Sequence, residues 1–529
     1  MVEGMERERL LAVRASLIRT LDPERPEVEC LALRAGRIAA SGTVEEVQSW
    51  VGGSADWLDL RPAVVLPGLT DSHIHLLEWA VARRRPDLSD ARSMAEALER
   101  VALAARAQPV DAWLEFKGWN PAWRSQARLA ELDAVSAGRA VALIAHDLHS
   151  GWLNSEAMRR LAIGPERCDP AGGSLERGRQ GELTGVLLER ALDWWYEGRP
   201  RLSDAARRAA VLEGQAVLHR SGVTAVHSVE APEAFQLVQD LERAGELRLR
   251  VLHHMPQRYL ESLIECGIAS GFGGEWLRIG GIKYFTDGAL GSQTAWMLEP
   301  YEGSSERGVR RLEPEELKAD IGRAARAGLA ATVHAIGDAA VRMTLAVLEG
   351  VGARGLAIPH RVEHLQCVHA DDLPRAARAG IVASMQPSHL LTDIRLAEER
   401  WGPERCRRTM ALRSLLDVGT VLAFGSDAPV EEADPREGFY AARTRRDRSG
   451  YPAEGWYPQE RLSGLDVLRA YSEGPAKAAG DAQRHGRLAP GYQADFAAWD
   501  VDLVTAEPER SRAAEVVATV VDGEIVYRA

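Results

Sequence analysis

The amino-acid sequence predicts an α/β fold built around a closed (β/α)8 barrel, and three observations support this prediction. The middle of the chain alternates amphipathic, Ala-rich helical segments with short and nearly continuous apolar segments. That alternation is typical of parallel strands whose two faces are both buried. Counted with the apolar segment before His73, the strand–helix units number eight, which is the number that forms such a barrel. Both ends of the chain differ from the middle and predict short strands joined by turns.

The β-rich ends cover residues 1–65 and 480–529, and residues 66–479 contain the barrel. The first end contains LLAVRASLIRTL, CLALRAGRIAASG and WLDLRPAVVLPG, and the second contains ADFAAWDVD and VVATVVDGEIVYRA. The predicted barrel strands are, in order, LPGLTDSHIHL, VTAVHSVE, LRLRVLHHM, LRIGGIKYFTDGA, LAATVHAIGD, HRVEHLQCV, GIVASMQPSHL and TVLAFGSDAPV.

The connection between the first and second barrel strands is far too long for one crossover helix. It spans roughly residues 77–222 and includes VALIAHDLHSGWLNSEAM and the Gly-rich DPAGGSLERGRQGELTG. We interpret it as an insertion on the barrel, because loops of this length are commonly lids or binding elements.

Composition limits the cellular setting and the partners of the 529-residue chain. The net charge of −12 argues against nonspecific nucleic-acid binding. The sequence contains no apolar run long enough for a transmembrane helix and no signal-peptide pattern at its start. The five cysteines are dispersed and form no C-x-x-C pair, which favours a reducing compartment. We therefore expect a cytoplasmic protein without nucleic-acid or membrane partners.

Two histidines one residue apart, in LPGLTDSHIHL, are the first indication of a metal site. Side chains alternate faces along a strand, so His73 and His75 point the same way and could reach one ion. A surface pair beside a turn is the simpler alternative.

Further polar residues lie at the ends of the other predicted strands, where chemistry is located in barrels of this type. They are His227, His253, His254, Lys283, His334, His364, His389 and Asp427. Each has an ordinary structural explanation: a hydrogen-bonded rim histidine, a surface lysine, or, for Asp427 in GSDAPV, a helix cap. Their coincidence at successive strand ends favours a metal site.

The motifs taken together resemble the amidohydrolase superfamily, and in particular the branch that contains N-substituted formamide deformylases. The resemblance rests on PGLTDSHIHL, DLHSGWLNSEAM, GVTAVHS, IKYFTDGALGSQTA, VHAIGD, RVEHLQ, FGSDAPV and GRLAPGYQADFAAWD, which occur in family order. It implies a metal-dependent (β/α)8 hydrolase of the TIM-barrel type. It also implies a small β-sandwich domain in which residues 1–65 and 480–529 combine.

The resemblance implies a ligand set for one or two divalent ions, zinc before others. His73, His75 and Asp427 would hold one ion, and His334 and His364 would hold the second. Lys283 would bridge them as a carbamate. An ammonium has no lone pair to donate, but burial favours the neutral amine, which can add carbon dioxide.

The implied activity is hydrolysis of a C–N bond, other than a peptide bond, in an amide-type small molecule. An N-formyl or N-acyl amine or a cyclic amide would be attacked by a metal-bridging hydroxide, with Asp427 as the catalytic proton shuttle. Two alternatives stay open: a mononuclear deaminase on the same fold and a non-catalytic binding or regulatory barrel. Lys283 and the HAIGD context speak against the first, and the complete ligand set speaks against the second. The sequence also allows a homodimer.

Substrate-binding candidates are assigned less directly. Trp119, His149 and Trp152 lie in the insertion, where the family often lines its pocket, and packing is the alternative for each tryptophan. His227 and His389 would contact substrate or orient the metal ligands.

Overall fold

The computed structural model describes residues 10–53, 55–145, 150–170, 172–200 and 202–529. The chain forms two compact units, one of Met1–Leu77 with Val211–Ala529 and one of Glu78–Ala210. The second unit falls within the predicted insertion. The predicted domain boundaries are not tested by this division and stay predictions.

Within the described ranges the secondary structure alternates as the sequence predicts. The strands are β1 (Leu10–Arg19), β2 (Glu27–Arg34), β3 (Arg37–Gly42), β4 (Asp56–Asp59), β5 (Val64–Pro67), β6 (Leu69–Ile74), β7 (Trp113–Trp119), β8 (Ala140–Ala145), β9 (Ser150–Leu153), β10 (Gly173–Arg177), β11 (Leu183–Glu189), β12 (Val223–Val229), β13 (Arg250–Pro256), β14 (Leu277–Phe285), β15 (Ala331–Ala335), β16 (Arg361–His364), β17 (Val382–Met385), β18 (Leu422–Phe424), β19 (Phe496–Trp499), β20 (Val516–Val521) and β21 (Glu524–Arg528). The helices are α1 (Val44–Val51), α2 (Leu76–Ala82), α3 (Met94–Arg106), α4 (Leu129–Ser136), α5 (Ser155–Arg160), α6 (Asp193–Gly198), α7 (Asp204–Arg220), α8 (Pro232–Arg243), α9 (Leu260–Glu265), α10 (Pro314–Arg326), α11 (Asp338–Val351), α12 (Arg375–Arg378), α13 (Leu390–Cys406), α14 (Leu412–Asp417), α15 (Pro435–Thr444), α16 (Gly464–Tyr471), α17 (Glu473–Ala478) and α18 (Pro508–Arg512).

Eight parallel strands form a nearly closed barrel in the first unit. Their order is β18-β17-β16-β15-β14-β13-β12-β6, and each pairs in parallel with the next. The two end strands approach each other beyond β18, where the Asp427 amide donates to the His73 carbonyl at 2.7 Å. The His75 amide donates to the Ala428 carbonyl at 2.9 Å on the same seam. The predicted α/β class and eight-stranded parallel barrel are therefore confirmed.

The barrel helices follow the amphipathic pattern that the sequence predicts. Helix α10 begins with Pro314 at its first turn, a position where the missing amide hydrogen costs nothing. Its buried residues Leu317, Ile321 and Ala324 recur every three or four positions and form one face. That face packs in the large core that also contains the barrel strands.

Strands from both ends of the chain share one sheet with the order β21-β20-β19-β5-β1-β2-β3, and β4 also pairs with β1. The two ends meet where β19 pairs antiparallel with β5, with Ala498 opposite Val65. Val13, Val65 and Phe496 are fully buried in the core of this sheet. The sheet unites the termini, and its classification as a sandwich stays a prediction.

The link from this sheet into the barrel is a single glycine. Strand β5 ends at Pro67 and β6 begins at Leu69. A Cβ on Gly68 would lie 2.2 Å from the Thr224 hydroxyl oxygen, so a larger residue would force the strands apart. The PGLTDSHIH motif thus joins the two sheets without a loop.

The second unit contains a five-stranded sheet with the order β10-β11-β9-β8-β7. Strand β8 lies between β9 and β7, and all six of its residues are buried. None of the helices that the structure describes is long and apolar enough to span a membrane. The cytoplasmic location stays a prediction from the sequence.

Candidate metal centre

His73, His75 and Asp427 converge at the C-terminal mouth of the barrel. His73 lies near the end of β6, His75 follows that strand, and Asp427 follows β18. Asp427 Oδ1 is 3.2 Å from His75 Nε2 and 3.4 Å from His73 Nε2. One donor atom from each of the three residues lies within 4.8 Å of the others, a spacing that can hold a metal ion. His73 and His75 therefore point to the same place, as the alternation of side chains along a strand predicts.

The opposite ring nitrogens of the two histidines are already occupied. His75 Nδ1 lies 2.8 Å from the carbonyl oxygen of Val229, which can only accept, so Nδ1 carries the hydrogen. His73 Nδ1 lies 2.6 Å from Glu363 Oε2. Both Nε2 atoms thereby face Asp427, and each can donate a lone pair to a metal when it carries no hydrogen.

His334 and His364 form the adjacent pair. Their ring centroids are 4.6 Å apart in an edge-to-face arrangement, and the His364 ring lies 5.3 Å from that of His73. His334 Nε2 is 3.0 Å from the Gly288 carbonyl oxygen, which leaves Nδ1 as its nitrogen for a metal. His364 has a φ of 68° and Asp427 a φ of 60°, and such left-handed non-glycine residues cluster at functional sites.

Lys283 is 2% exposed on β14. Burial lowers the pKa of its ammonium to about 8, although the charges of Glu363 and Asp427 oppose that shift. Its Nζ lies 4.9 Å from the ring centroid of Phe285. A substantial neutral fraction near pH 8 is the form that carbamate formation requires.

Burial and charge set the protonation states of the metal-free cluster. Burial, with the Lys283 charge, lowers the pKa of His73 to about 4, and burial holds the pKa of His364 well below its usual value. Burial disfavours the Asp427 charge, but the surrounding imidazoles outweigh it and hold the carboxyl pKa well below its usual range. For His75, burial is outweighed by the hydrogen bond and charge of Asp427, and the pKa is raised. Asp427 is therefore anionic at neutral pH.

These residues fit a zinc-type ion. In the part of the chain that the structure describes, the buried atoms without a hydrogen-bond partner include His73 Nε2, His364 Nδ1 and His389 Nε2. Unpaired buried nitrogen is unfavourable, and a cluster of such atoms calls for a further partner. Neutral imidazoles with one carboxylate are the ligands that zinc takes.

Arg361 and Glu363 were missed by the sequence reasoning. Both are completely buried on β16, and Arg361 Nε donates to Glu363 Oε1 at 2.5 Å. The signal lies in HRVEHLQCV, where an arginine and a glutamate two residues apart in a buried strand must share a face. Unpaired, neither charge would be tolerated there.

Two other buried carboxylates hold the loops around the mouth. Asp71 accepts from the amide and hydroxyl of Ser426 at 2.9 and 2.5 Å, and so joins β6 to the turn after β18. Asp287 accepts from the Gly337 and Ile336 amides at 2.8 and 3.1 Å, which joins the segments after β14 and β15.

The substrate-binding candidates lie in different environments. His389 stacks on His364 with ring centroids 6.0 Å apart, and its Nε2 is 3.9 Å from Asp427 Oδ2. His227 instead accepts a hydrogen bond from Arg361 Nη1 at 2.8 Å. It also borders a cavity lined by Thr224 and Arg250, away from the metal cluster. His389 therefore adjoins the cluster directly, and His227 reaches it only through Arg361.

Trp119 and Trp152 are fully buried in the core of the second unit. Their ring centroids are 6.1 Å apart, and Trp152 Nε1 donates to the Thr184 carbonyl at 3.2 Å. His149 lies outside the described residues. For all three a role in substrate binding stays a prediction.

Comparison with known proteins agrees with the fold and the motifs. The model of a family described as "Amidohydrolase family" matches residues 56–527. The chain is 30% identical to Protein LONG AFTER FAR-RED 3 of Arabidopsis thaliana, over 98% of this chain and 91% of that protein. It is 26% identical to N-substituted formamide deformylase of Arthrobacter pascens, over 96% of this chain and 97% of that protein.

A solved structure agrees as well. An uncharacterized metal-dependent hydrolase from Pyrococcus horikoshii OT3 superposes with a TM-score of 0.79 at 27% identity, over 94% of this chain and 99% of that one. The chain therefore belongs to the amidohydrolase family, and the resemblance inferred from its motifs is confirmed.

Proposed function

We propose that the protein is a metal-dependent hydrolase that cleaves a C–N bond, other than a peptide bond, in an amide-type small molecule. The convergence of His73, His75 and Asp427 at the barrel mouth carries the proposal. A full-length relative named as a formamide deformylase and a structural relative named as a metal-dependent hydrolase support it. N-formyl amines, N-acyl amines and cyclic amides are the substrate classes that we propose.

The protein would hold one or two divalent ions, of which zinc fits the donors best. His73, His75 and Asp427 would bind one ion. His334 and His364 would bind the second, and Lys283 would join the two as a carbamate. When bound, such ions lower the pKa of water towards neutrality and polarise a carbonyl group.

Asp427 would move the proton in the reaction. Its carboxylate is anionic and only slightly exposed at the mouth, so it can accept a proton from the attacking water. It would return that proton to the leaving nitrogen as the C–N bond breaks, giving a carboxylic acid and an amine. An amide needs this help because resonance strengthens its C–N bond and the unprotonated nitrogen is a poor leaving group.

Phe285 would form an apolar wall for the substrate. It ends β14 and is 39% exposed, and its ring lies 5.3 Å from that of His334. An exposed aromatic ring beside a polar cluster favours a substrate that carries an apolar group next to its amide.

The two alternatives are less well supported. A mononuclear deaminase has no use for a bridging lysine, yet Lys283 lies buried close enough to the cluster to act on His73 by its charge. A non-catalytic barrel gives no reason for the orphaned imidazole nitrogens. The small-molecule partner, the homodimer and the lack of nucleic-acid or membrane partners stay predictions from the sequence.

The test combines metal analysis with a substrate screen. Purified protein is stripped with a chelator, reloaded with zinc, and assayed on N-formyl amines, N-acyl amino acids, cyclic amides and esters. We expect stoichiometric zinc and hydrolysis of at least one amide class only after reloading. Activity that survives complete metal removal would refute the proposal.

A matched pair of variants sharpens this experiment. His75 is half-buried and His219 is buried, and in each the Nδ1 atom bonds a main-chain carbonyl, of Val229 and Val223 respectively. His75→Asn should lose zinc and turnover, while His219→Asn should keep both. Equal losses in the two variants would show damage to the fold instead of loss of a ligand.

A further inference from the structure

A buried ion pair beneath the metal cluster has no role in the proposed chemistry. Glu363 and Arg361 are both 0% exposed and lie on β16 inside the barrel. Arg361 Nε donates to Glu363 Oε1 at 2.5 Å, and Arg361 Nη2 donates to Glu363 Oε2 at 3.1 Å. This bidentate arrangement requires the ionised carboxylate, because a protonated one would place a hydrogen against the guanidinium.

The arginine is held from several strands at once. Its Nη2 donates at 2.5 Å to the Ser72 carbonyl on β6 and at 2.5 Å to the Ser384 hydroxyl on β17. Its Nη1 donates to His227 on β12 at 2.8 Å. A guanidinium that bonds to three other strands cannot turn without breaking them, so the orientation of Glu363 is rigid.

Glu363 contacts the proposed metal cluster at His73. Its Oε2 lies 2.6 Å from His73 Nδ1, and an ionised carboxylate can only accept a hydrogen bond. The Nδ1 atom must therefore carry the hydrogen, and Nε2 keeps its lone pair. Among the described residues, the buried His73 Nε2 has no hydrogen-bond partner. It lies 3.4 Å from Asp427 Oδ1.

From this geometry we propose that Glu363, anchored by Arg361, is a positioning residue that sets the tautomer and ring orientation of His73 so that its Nε2 binds the metal. The inference rests on the proposed function, since it concerns the same metal centre. Without Glu363 the His73 ring would sample both tautomers and other orientations. Removing such an outer partner typically lowers metal affinity by about 10–100-fold.

The barrel provides a matched control at its opposite end. Asp495 accepts from Arg250 Nε at 2.6 Å and Nη2 at 3.0 Å, and it lies 3.5 Å from His485 Nδ1. This trio also combines a buried arginine and a buried carboxylate with a histidine, which here is half-buried. Arg250 begins its strand at the end remote from the cluster. Asp495→Asn should therefore cost stability as Glu363→Gln does, without touching a metal ligand.

The experiment measures zinc affinity of the apo full-length protein by competition with a chromophoric chelator. We expect a loss of about 10–100-fold in Glu363→Gln and no change in Asp495→Asn. Glu363→Asp, which keeps the charge but withdraws the oxygen from His73, should also bind zinc more weakly than wild type. Wild-type affinity in Glu363→Gln, or an equal loss in Asp495→Asn, would overturn the inference. If wild-type protein binds no zinc, the proposed function itself has failed.

A second measurement needs no stable variant at Glu363. The ¹⁵N chemical shifts of histidine-labelled apo wild-type protein report which ring nitrogen is protonated, and a His73→Gln spectrum identifies the His73 signals. We expect hydrogen on Nδ1 and a lone pair on Nε2. The reverse tautomer would overturn the inference even if the metal site itself is correct.

Discussion

Replacement of Asp427 by asparagine tests the catalytic assignment with little disturbance of the backbone. Asp427 has a φ of 60°, in the left-handed region. Asparagine tolerates this region much as aspartate does, whereas alanine would add roughly 1–2 kcal/mol of strain. Asp427→Asn also keeps the size of the side chain and an oxygen donor near His73 and His75. The variant therefore removes a charge and a proton acceptor and leaves the turn intact.

The expected effect on turnover follows from the position of the carboxylate. Asp427 Oδ1 lies 3.2 Å from His75 Nε2, and its Oδ2 lies 3.9 Å from His389 Nε2. The anion is therefore held at the cluster, where an amide side chain cannot take up a proton at neutral pH. Loss of such a shuttle lowers the rate by about 10²–10⁴-fold, or about 3–5 kcal/mol in activation free energy. The proposed second site, at His334 and His364, should still retain an ion.

The assay is steady-state turnover and zinc content on the same preparation of Asp427→Asn, with the melting temperature as a check on folding. A helix-cap role, which the sequence left open, is wrong, because the next helix, α15, is capped by Asp434. Near-wild-type turnover in a folded, zinc-loaded variant would therefore refute the catalytic role outright. A variant that loses all zinc would contradict the prediction that His334 and His364 retain an ion without the Asp427 carboxylate.

Three further predictions concern other parts of the structure. Burial disfavours the charge of His485, but its hydrogen bonds to Asp481 and Asp495 outweigh burial and raise its pKa above 6.5. The stabilisation by charged His485 is complete below that pH and is lost as the pH rises through the raised pKa. In urea titrations the unfolding free energy of wild type should therefore exceed that of His485→Gln by more at pH 6 than at pH 8. A difference that does not change with pH would contradict this prediction. Phe285→Ala should raise KM for amides with aromatic substituents by about 5–20-fold, because roughly 1–2 kcal/mol of apolar contact is lost, and kcat should change little. An equal rise in KM for unsubstituted formamide would argue against an apolar wall. A crystal structure of the zinc-loaded protein should show density for a carbamate on Lys283 between the ions, and an ordered free ammonium more than ~4 Å from any metal, beyond direct ion-pair contact, would favour a single-metal site.

Much of the fold could be predicted because its signals are local. Apolar runs alternating with amphipathic helices reflect burial of both faces of a parallel sheet, and the structure has eight such strands in sequence order. The period of two along β6 likewise predicts that His73 and His75 share a side, and both reach Asp427.

The sequence by itself therefore determined the alternation of strands and helices that forms the barrel, and it predicted a ligand set from the motifs at the strand ends. Only the tertiary structure decided which candidates lie at the cluster. His227 and His389 look alike as strand-end histidines, yet His389 stacks on His364 and His227 bonds to Arg361. The Glu363 to His73 contact joins residues on strands far apart in the chain. The physical reason is that the layer and direction of an inward side chain depend on strand register and barrel closure, and hydrogen bonds between distant strands set both.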